Sequence, residues 1–318
     1  MTDGPRIAVL DDYQQVATEL ADWHTLPGEV VVFSKPFVDV EDVVRSLAEF
    51  DVLVAMRERT RFPSEVLGRL PALRLLVTTG PANAAIDVAA ARRLGVTVSA
   101  TGYDSSPTVE LTWALILASA RNLPAEVESM RGGGWQLSVG TGLHGKTLGL
   151  LGLGRLGSRV ARVGQAFGMD TIAWSQNLTP ERAAEHGVRA VGKPEIFASS
   201  DVLSVHLVLS DRTRGLVGAA ELAAMTPTAL LVNTSRGPIV DTDAPIAAVR
   251  ENRIGRAAID VYDTEPLPTD HPLRSLPGVL TTPHVGYVTR ELYTTFYRDA
   301  VQDIAAFLDG RPVRVLTR

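Results

Sequence analysis

With 318 residues, 45% of them hydrophobic and 21% charged, the chain can bury a large core, and its length favours two domains over one. A formal net charge of -5 and a sequence pI of about 5.7 argue against a broad basic face for nucleic acid. The absence of cysteine excludes disulfides and thiolate zinc sites, and no metal site is expected.

Met1 to Leu10 lacks the basic-then-apolar pattern of an export signal. The most apolar helical run, Leu111 to Ala120, falls short of the roughly 20 apolar residues that span a bilayer. The expectation is a soluble, cytoplasmic protein. Short apolar runs at Ile7 to Leu10, Val30 to Phe33, Val52 to Ala55 and Leu73 to Val77 read as strands, each followed by helical spacing. Pro107 to Leu123 is apolar nearly all round, so it reads as a helix buried on most sides, in a core, at a domain boundary or at a subunit interface. Arg131 to Gly134 is a glycine-rich loop. The strand rhythm restarts at Thr147 to Leu151 and continues at Thr171 to Trp174, Val202 to Leu207, Ala229 to Asn233 and Ala257 to Val261. Near-continuous apolar strands alternating with helices predict parallel sheets covered on both faces. Two such series predict an α/β protein of two doubly wound, Rossmann-like domains.

The sharpest motif is Gly152-Leu153-Gly154-Arg155-Leu156-Gly157, which follows the strand TLGLL and opens the helical stretch Arg155 to Phe167. Gly152 suits a tight turn, Gly154 the close approach of backbone to a pyrophosphate, and Gly157 the packing of helix on strand. The free N–H groups of the helix start would face the phosphates. The fingerprint expects an acid at the end of the next strand, yet that strand ends in Ser175, Gln176 and Asn177. No carboxylate there repels a 2′-phosphate, and no cation binds one. The expectation is use of both NAD and NADP.

Three further strand ends carry polar groups: Asn233-Thr234-Ser235-Arg236-Gly237, Asp260 to Pro266, and Thr282-Pro283-His284-Val285-Gly286. Ligands of such sheets bind outside the carboxyl ends of strands, which would bring Arg236, Glu265 and His284 to one crevice. At these residues the chain resembles the D-isomer-specific 2-hydroxyacid dehydrogenases. The resemblance runs from about Val52 onward and takes in LHGKTLGLLGLGRLG, VNTSRGPIVD, AAIDVYDTEP and TPHVGY in the family's order. It implies a hydride transfer between NAD or NADP and a small 2-hydroxy or 2-oxo acid, such as glyoxylate or hydroxypyruvate. It also implies that Arg236 binds substrate, Glu265 pairs with the histidine, His284 is the acid/base, and Asp260 holds the nicotinamide carboxamide. His206 falls where the family has a histidine near the cofactor, although Val208 stands where proline is usual. Arg155, Leu156, Thr108 and Thr234 complete the expected cofactor set.

The chemistry suits these residue types. A planar guanidinium grips a carboxylate and polarises the adjacent carbonyl, and a histidine beside a carboxylate donates the proton. For the substrate pocket the family supplies a glycine-rich loop, matched here by Thr79 to Asp87. Gly80 is retained and Ala82 replaces the usual second glycine. Asn83, Arg57 at another strand end, and Tyr287, which replaces a small residue, are the other candidates. The family's layout predicts a substrate domain of residues 1–102 and 286–318 and a cofactor domain of residues 103–285. It also predicts a homodimer built largely on the cofactor domain, around the apolar helix near Trp113. Two alternatives stay open: a dinucleotide-sensing binding protein of the co-repressor kind, and a phosphite or phosphoglycerate dehydrogenase.

Overall fold

Branched and leucine-rich runs form every central strand of the computed structural model, which describes residues 4–317. The chain divides into two compact units, Met1–Asp104 with Val288–Arg318 and Ser105–Tyr287.

The first unit, discontinuous in sequence, holds β1 (Arg6–Val9), β2 (Glu29–Val32), β3 (Val52–Ala55), β4 (Leu75–Thr78) and β5 (Thr97–Ala100). They pair in the order β2-β1-β3-β4-β5, all parallel. β3 and β4 are buried at every position, which is why they read as unbroken apolar runs. β5 carries Thr97 and Ser99 and was not anticipated. Its outer edge is covered by residues 313–316: Ala100 N–H donates to Arg314 C=O at 3.0 Å and Leu316 N–H to Val98 C=O at 2.8 Å. Covering an edge strand in this way removes a site for unwanted pairing. A long helix, Arg290–Leu308, packs in this unit. It starts at Thr289, whose side chain accepts the Leu292 N–H, and buries Leu292, Tyr293, Phe296, Tyr297, Ala300 and Ile304 at helical spacing.

The second unit holds β6 (Thr147–Leu151), β7 (Asp170–Trp174), β8 (Arg189–Ala190), β9 (Val202–Val205), β10 (Leu230–Asn233), β11 (Arg256–Ile259) and β12 (Val279–Thr281). Their order is β12-β11-β10-β9-β6-β7-β8, again all parallel. The chain therefore reverses direction across the sheet between β6 and β9, the place where a doubly wound fold opens a crevice. The helix Arg155–Ala166 buries Gly157, Val160, Ala161 and Gly164, small residues that bring it close to the sheet. A Cβ at Gly164 would come within 2.7 Å of Leu148 and 3.4 Å of Trp113.

The apolar helix runs Ser106–Ala120, ending before the predicted Leu123 because Asn122 takes the left-handed conformation (φ 51°) and starts a separate helix, Leu123–Arg131. Trp113 is 5% exposed, its ring lies 5.1 Å from that of Phe167, and its Nε1–H donates to the Val160 carbonyl. The Trp113 ring is thus packed within its own unit. Among the described residues no helix is long and apolar enough to cross a membrane.

Candidate active site

The seven parallel strands of the second unit all end on one edge of the sheet, and the loops that follow them gather there. After β6, Gly152 takes φ 101°, and a Cβ there would lie 2.9 Å from the carbonyl oxygen of His206. Gly157 must also lack a side chain, because its Cβ would stand 2.1 Å from the Gly152 oxygen. Gly154 is different: it is exposed, and a Cβ there would meet nothing within 4 Å. It is also the N-cap of the helix Arg155–Ala166, with no side-chain cap. The backbone is thus folded tightly beneath the turn and bare above it. Arg155 is exposed at the helix start and Leu156 is half-buried against the core.

After β7, Ser175 is half-buried while Gln176 and Asn177 are exposed. After β9, His206 Nε2 lies 2.9 Å from the Ser204 hydroxyl, and Nδ1 is buried with no hydrogen-bond partner. Burial lowers the ring's pKa to about 4, so His206 is neutral and cannot serve as a cationic phosphate ligand. It sits beneath the glycine turn as a packing group.

After β10, the Asn233 side chain bridges its own turn, accepting the Ser235 N–H and donating to the Arg236 carbonyl, both at 3.1 Å. Thr112 donates to the Thr108 carbonyl at 2.7 Å, so the 2.8 Å contact between the Thr112 and Thr234 hydroxyls has Thr234 as donor. That chain fixes Thr108 and Thr234 beside each other's elements. Arg236 is half-buried, and one of its Nη1 protons goes to the Ser235 carbonyl. Gly237 explains where Arg236 stands: a Cβ at Gly237 would be 2.2 Å from the Tyr262 carbonyl carbon. The turns after β10 and β11 touch backbone to backbone.

After β11, Asp260 is buried. Its Oδ1 accepts the Thr282 hydroxyl at 2.6 Å and the Val285 N–H at 2.9 Å, and its Oδ2 accepts the Gly286 N–H at 2.9 Å. Burial raises the Asp260 pKa, and these three donors oppose that rise. Glu265 receives the Tyr262 N–H on Oε1 at 2.8 Å and meets His284 Nδ1 with Oε2 at 2.6 Å. His284 adopts a left-handed backbone (φ 53°), a conformation that costs a non-glycine residue energy and that Asp260 and Thr282 hold in place. Its ring meets Tyr287 edge-on, centroids 5.4 Å apart at 82°, and Tyr287 is buried. With Nδ1 turned to Glu265, Nε2 is the nitrogen that points away from the pair.

These motifs have counterparts in known proteins. The model of the D-isomer specific 2-hydroxyacid dehydrogenase, NAD binding domain, matches residues 113–286. A glyoxylate reductase of Aeropyrum pernix is 40% identical over 281 residues, covering 85% of this chain and 84% of that one. The chain belongs to the D-isomer specific 2-hydroxyacid dehydrogenase family. A D-3-phosphoglycerate dehydrogenase of Archaeoglobus fulgidus is 35% identical over 277 residues, and this dehydrogenase spans about half of that relative's length (52%). The crystal structure of a phosphoglycerate oxidoreductase from Vibrio cholerae O395 superposes with a TM-score of 0.91 at 40% identity, covering 96% of this chain and 99% of that one. The dehydrogenase is thus an oxidoreductase with a nicotinamide dinucleotide cofactor. The glycine turn fits that cofactor's pyrophosphate, with bare backbone at Gly154 and an uncapped helix start offering N–H groups to an anion.

In the other unit of the dehydrogenase, Arg57 and Gly80 follow β3 and β4. Arg57 has a left-handed backbone (φ 51°); its N–H donates to the Thr79 hydroxyl at 2.8 Å and its Nη1 to the Thr79 carbonyl at 2.9 Å. Gly80 has φ 85°, and a Cβ there would strike Arg57 Nη1 at 1.9 Å. The Gly80 N–H donates to the Thr101 hydroxyl at 2.7 Å. Asn83 is buried and donates its amide to the Arg57 carbonyl at 2.6 Å and the Thr78 hydroxyl at 2.9 Å. Both residues shape the loop from within. Sequence reading also missed the groups that brace the site: Asn233, Gly237, Tyr262 and Thr282. All four stand inside the polar strand-end motifs, which is the signal the sequence carried for them.

Proposed function

We propose that this dehydrogenase reduces small 2-oxo acids of the glyoxylate and hydroxypyruvate class, with Arg236, Glu265 and His284 as its catalytic residues. The observation that carries the reading is the 2.6 Å contact between His284 Nδ1 and Glu265 Oε2, on a loop locked by Asp260 and beside the turn that holds Arg236. The relative that matches over most of both chains is named glyoxylate reductase, which supports the substrate class.

A bound nicotinamide supplies the hydride in reduction and takes it up in oxidation. Arg236 presents its guanidinium to the substrate carboxylate and the neighbouring carbonyl oxygen. His284 holds a proton at Nε2 and gives it to that oxygen, while Glu265 stabilises the imidazolium through Nδ1. The Tyr262 N–H on the other Glu265 oxygen stops the carboxylate from swinging away. Acid–base help of this kind is worth about 10²–10⁴ in rate.

The unit Ser105–Tyr287 serves as the cofactor domain, through Gly152, Gly154, Arg155, Leu156, Gly157, Ser175, Gln176, Asn177, Thr108, Thr234 and Asp260, with His206 supporting the glycine turn from below. The unit Met1–Asp104 with Val288–Arg318 serves as the substrate domain, where Arg57, Gly80 and Asn83 set the loop. Tyr287 orients the His284 ring. Ser175 neither repels nor strongly attracts a 2′-phosphate, so both NADH and NADPH are used, and Ser175→Asp reduces NADPH use selectively. The enzyme works as a homodimer, joined through the second unit's exposed apolar residues, which include Leu123, Trp135 (72% exposed) and Val139 (96% exposed). Sedimentation equilibrium at micromolar protein reads that assembly directly.

The deciding experiment is a panel of 2-oxo acids assayed with NADH and with NADPH by cofactor absorbance, on the native chain and on Arg236→Lys. Lysine keeps the charge and loses the fork. The expected result is turnover of glyoxylate or hydroxypyruvate, and a fall of about 10²-fold or more in kcat/KM in the variant at unchanged cofactor affinity. Near-native turnover in Arg236→Lys removes Arg236 from the site.

A further inference from the structure

Tyr262 stands where three strand-end turns of the second unit meet, and a different part of it meets each. Its backbone N–H donates to Glu265 Oε1 at 2.8 Å. Its carbonyl carbon is the atom that a Cβ at Gly237, next to Arg236, would strike. Its hydroxyl reaches the carbonyls of Ile259, the last residue of β11, at 3.0 Å and of Thr282, just past β12, at 2.8 Å. The ring is half-buried against the core of this unit. A hydroxyl that faces two carbonyls can only donate. Burial raises its pKa, and the Asp260 and Glu265 carboxylates raise it further, so it keeps its proton.

The Thr282 carbonyl is no ordinary acceptor. It also takes the His284 N–H at 3.0 Å, closing a tight turn at Pro283 in which His284 is held at φ 53°. Such a backbone persists only where its surroundings over-determine it. The Tyr262 hydroxyl pins the oxygen on which that turn closes and ties it to the end of β11. Without the hydroxyl the strand ends stay joined, because the Thr282 N–H still reaches the Ile259 carbonyl and its side chain still reaches Asp260. What is lost is a restraint on the direction of the turn, and so on where the imidazole points. One residue therefore sets both partners of the 2.6 Å contact between His284 and Glu265, the carboxylate through its N–H and the ring through its hydroxyl.

We infer that Tyr262 is a positioning residue for proton transfer, its hydroxyl aiming His284 while its backbone N–H fixes Glu265. The inference rests on the reading of His284 as the acid/base of a 2-oxo acid reductase. Tyr262 acts through that pair.

Tyr262→Phe removes the hydroxyl and keeps the ring and the backbone N–H. The variant folds, since one lost hydrogen bond is small beside the stability of a domain. Ser200→Ala serves as the comparator: Ser200 is buried, and its hydroxyl donates to the Ile196 carbonyl at the opposite edge of the same sheet, before β9. Steady-state kinetics with glyoxylate and hydroxypyruvate, at saturating reduced cofactor in light and in heavy water, are run on the native enzyme and both variants, with Tm read on the same samples. A misaimed proton donor slows the chemical step without weakening the grip on the acid. The expected result for Tyr262→Phe is a kcat about tenfold lower, a KM for the acid within about twofold of native, and a larger solvent isotope effect on kcat. Ser200→Ala lowers Tm and leaves all three kinetic values native. A native kcat in Tyr262→Phe overturns the inference. So does a KM that rises in step with the fall in kcat, or the same kinetic loss in Ser200→Ala, since either is the mark of general loosening. A native enzyme that reduces neither acid fails the functional reading itself. Normal native turnover with an unaffected Tyr262→Phe fails this inference alone.

Discussion

Asp260 accepts the backbone N–H of Gly286 at 2.9 Å, binding the end of β11 to the segment just past His284. Its other oxygen takes the Thr282 hydroxyl and the Val285 N–H, so one buried carboxylate grips His284 from both sides. Asp260→Asn turns a donor toward these donors. A buried donor left unsatisfied costs about 1–3 kcal/mol. The variant is expected to lose at least about tenfold in kcat and several degrees in Tm. Calorimetry and kinetics on the same preparation check this; a native kcat counts against Asp260 as the brace of the histidine.

Gly237→Ala tests the contact between the Arg236 turn and the Tyr262–Asp263 backbone. The new Cβ would fall 2.2 Å from a carbonyl carbon that no side-chain rotation can move. Overpacking of this kind costs about 1–3 kcal/mol and drives the two turns apart. Because Arg236 rides on one turn and Glu265 on the loop that continues the other, substrate KM rises and kcat falls together. Unaltered kinetics would show that the turns can separate without disturbing the site.

His206 gives stability a slope with pH. Its folded pKa is about 4 and its ordinary value is 6.5, so the unfolded chain binds the proton more readily between those limits. The contribution is fully present above pH 6.5 and is lost as pH falls toward 4. Tm in the native enzyme should therefore drop more steeply over this window than in His206→Asn, whose side chain does not titrate. Parallel curves would mean that the ring is not held neutral by burial.

Asp303 tilts the opposite way. It is fully buried, with Oδ1 on Arg314 Nε at 2.9 Å and Oδ2 without a hydrogen-bond partner, and burial lifts its pKa from 3.8 to about 7. The folded chain then binds the proton more tightly, so stability falls as pH rises from 3.8 through 7 and levels off above. In Asp303→Asn that decline is absent. The two slopes partly cancel in the native enzyme, and each single variant unmasks the other. A Tm profile in Asp303→Asn that runs parallel to the native one above pH 5 contradicts this.

Much of this architecture is legible in local pattern. The strands Val52–Ala55 and Thr147–Leu151 have the bounds read from sequence, because continuous apolar runs report burial directly. The glycine turn was legible for the same reason: Gly152 and Gly157 are demanded by backbone conformation and close approach. Thr97–Ala100 was not, since its outer partner is a segment more than 200 residues away and its serine is satisfied only by that segment, through the Val313 carbonyl. Arg189–Ala190 is too short to show a pattern. The inward turn of Asn83 depends on Arg57, 26 residues earlier, and the His284–Glu265 contact on which strand lies next to which. Strand-end chemistry can be read along a chain, while the direction in which a side chain spends its hydrogen bonds is decided by neighbours distant in sequence.

The helix Arg290–Leu308 and the covering segment 313–316 bring a consequence for how the molecule is made. The first unit owes Tyr293, Phe296, Tyr297 and Ile304 of its core, and the closure of its β5 edge, to residues synthesised after the whole second unit. The second unit, Ser105–Tyr287, is one uninterrupted stretch. During translation it can fold while residues 4–104 wait with an open apolar face, so the second unit matures before the first.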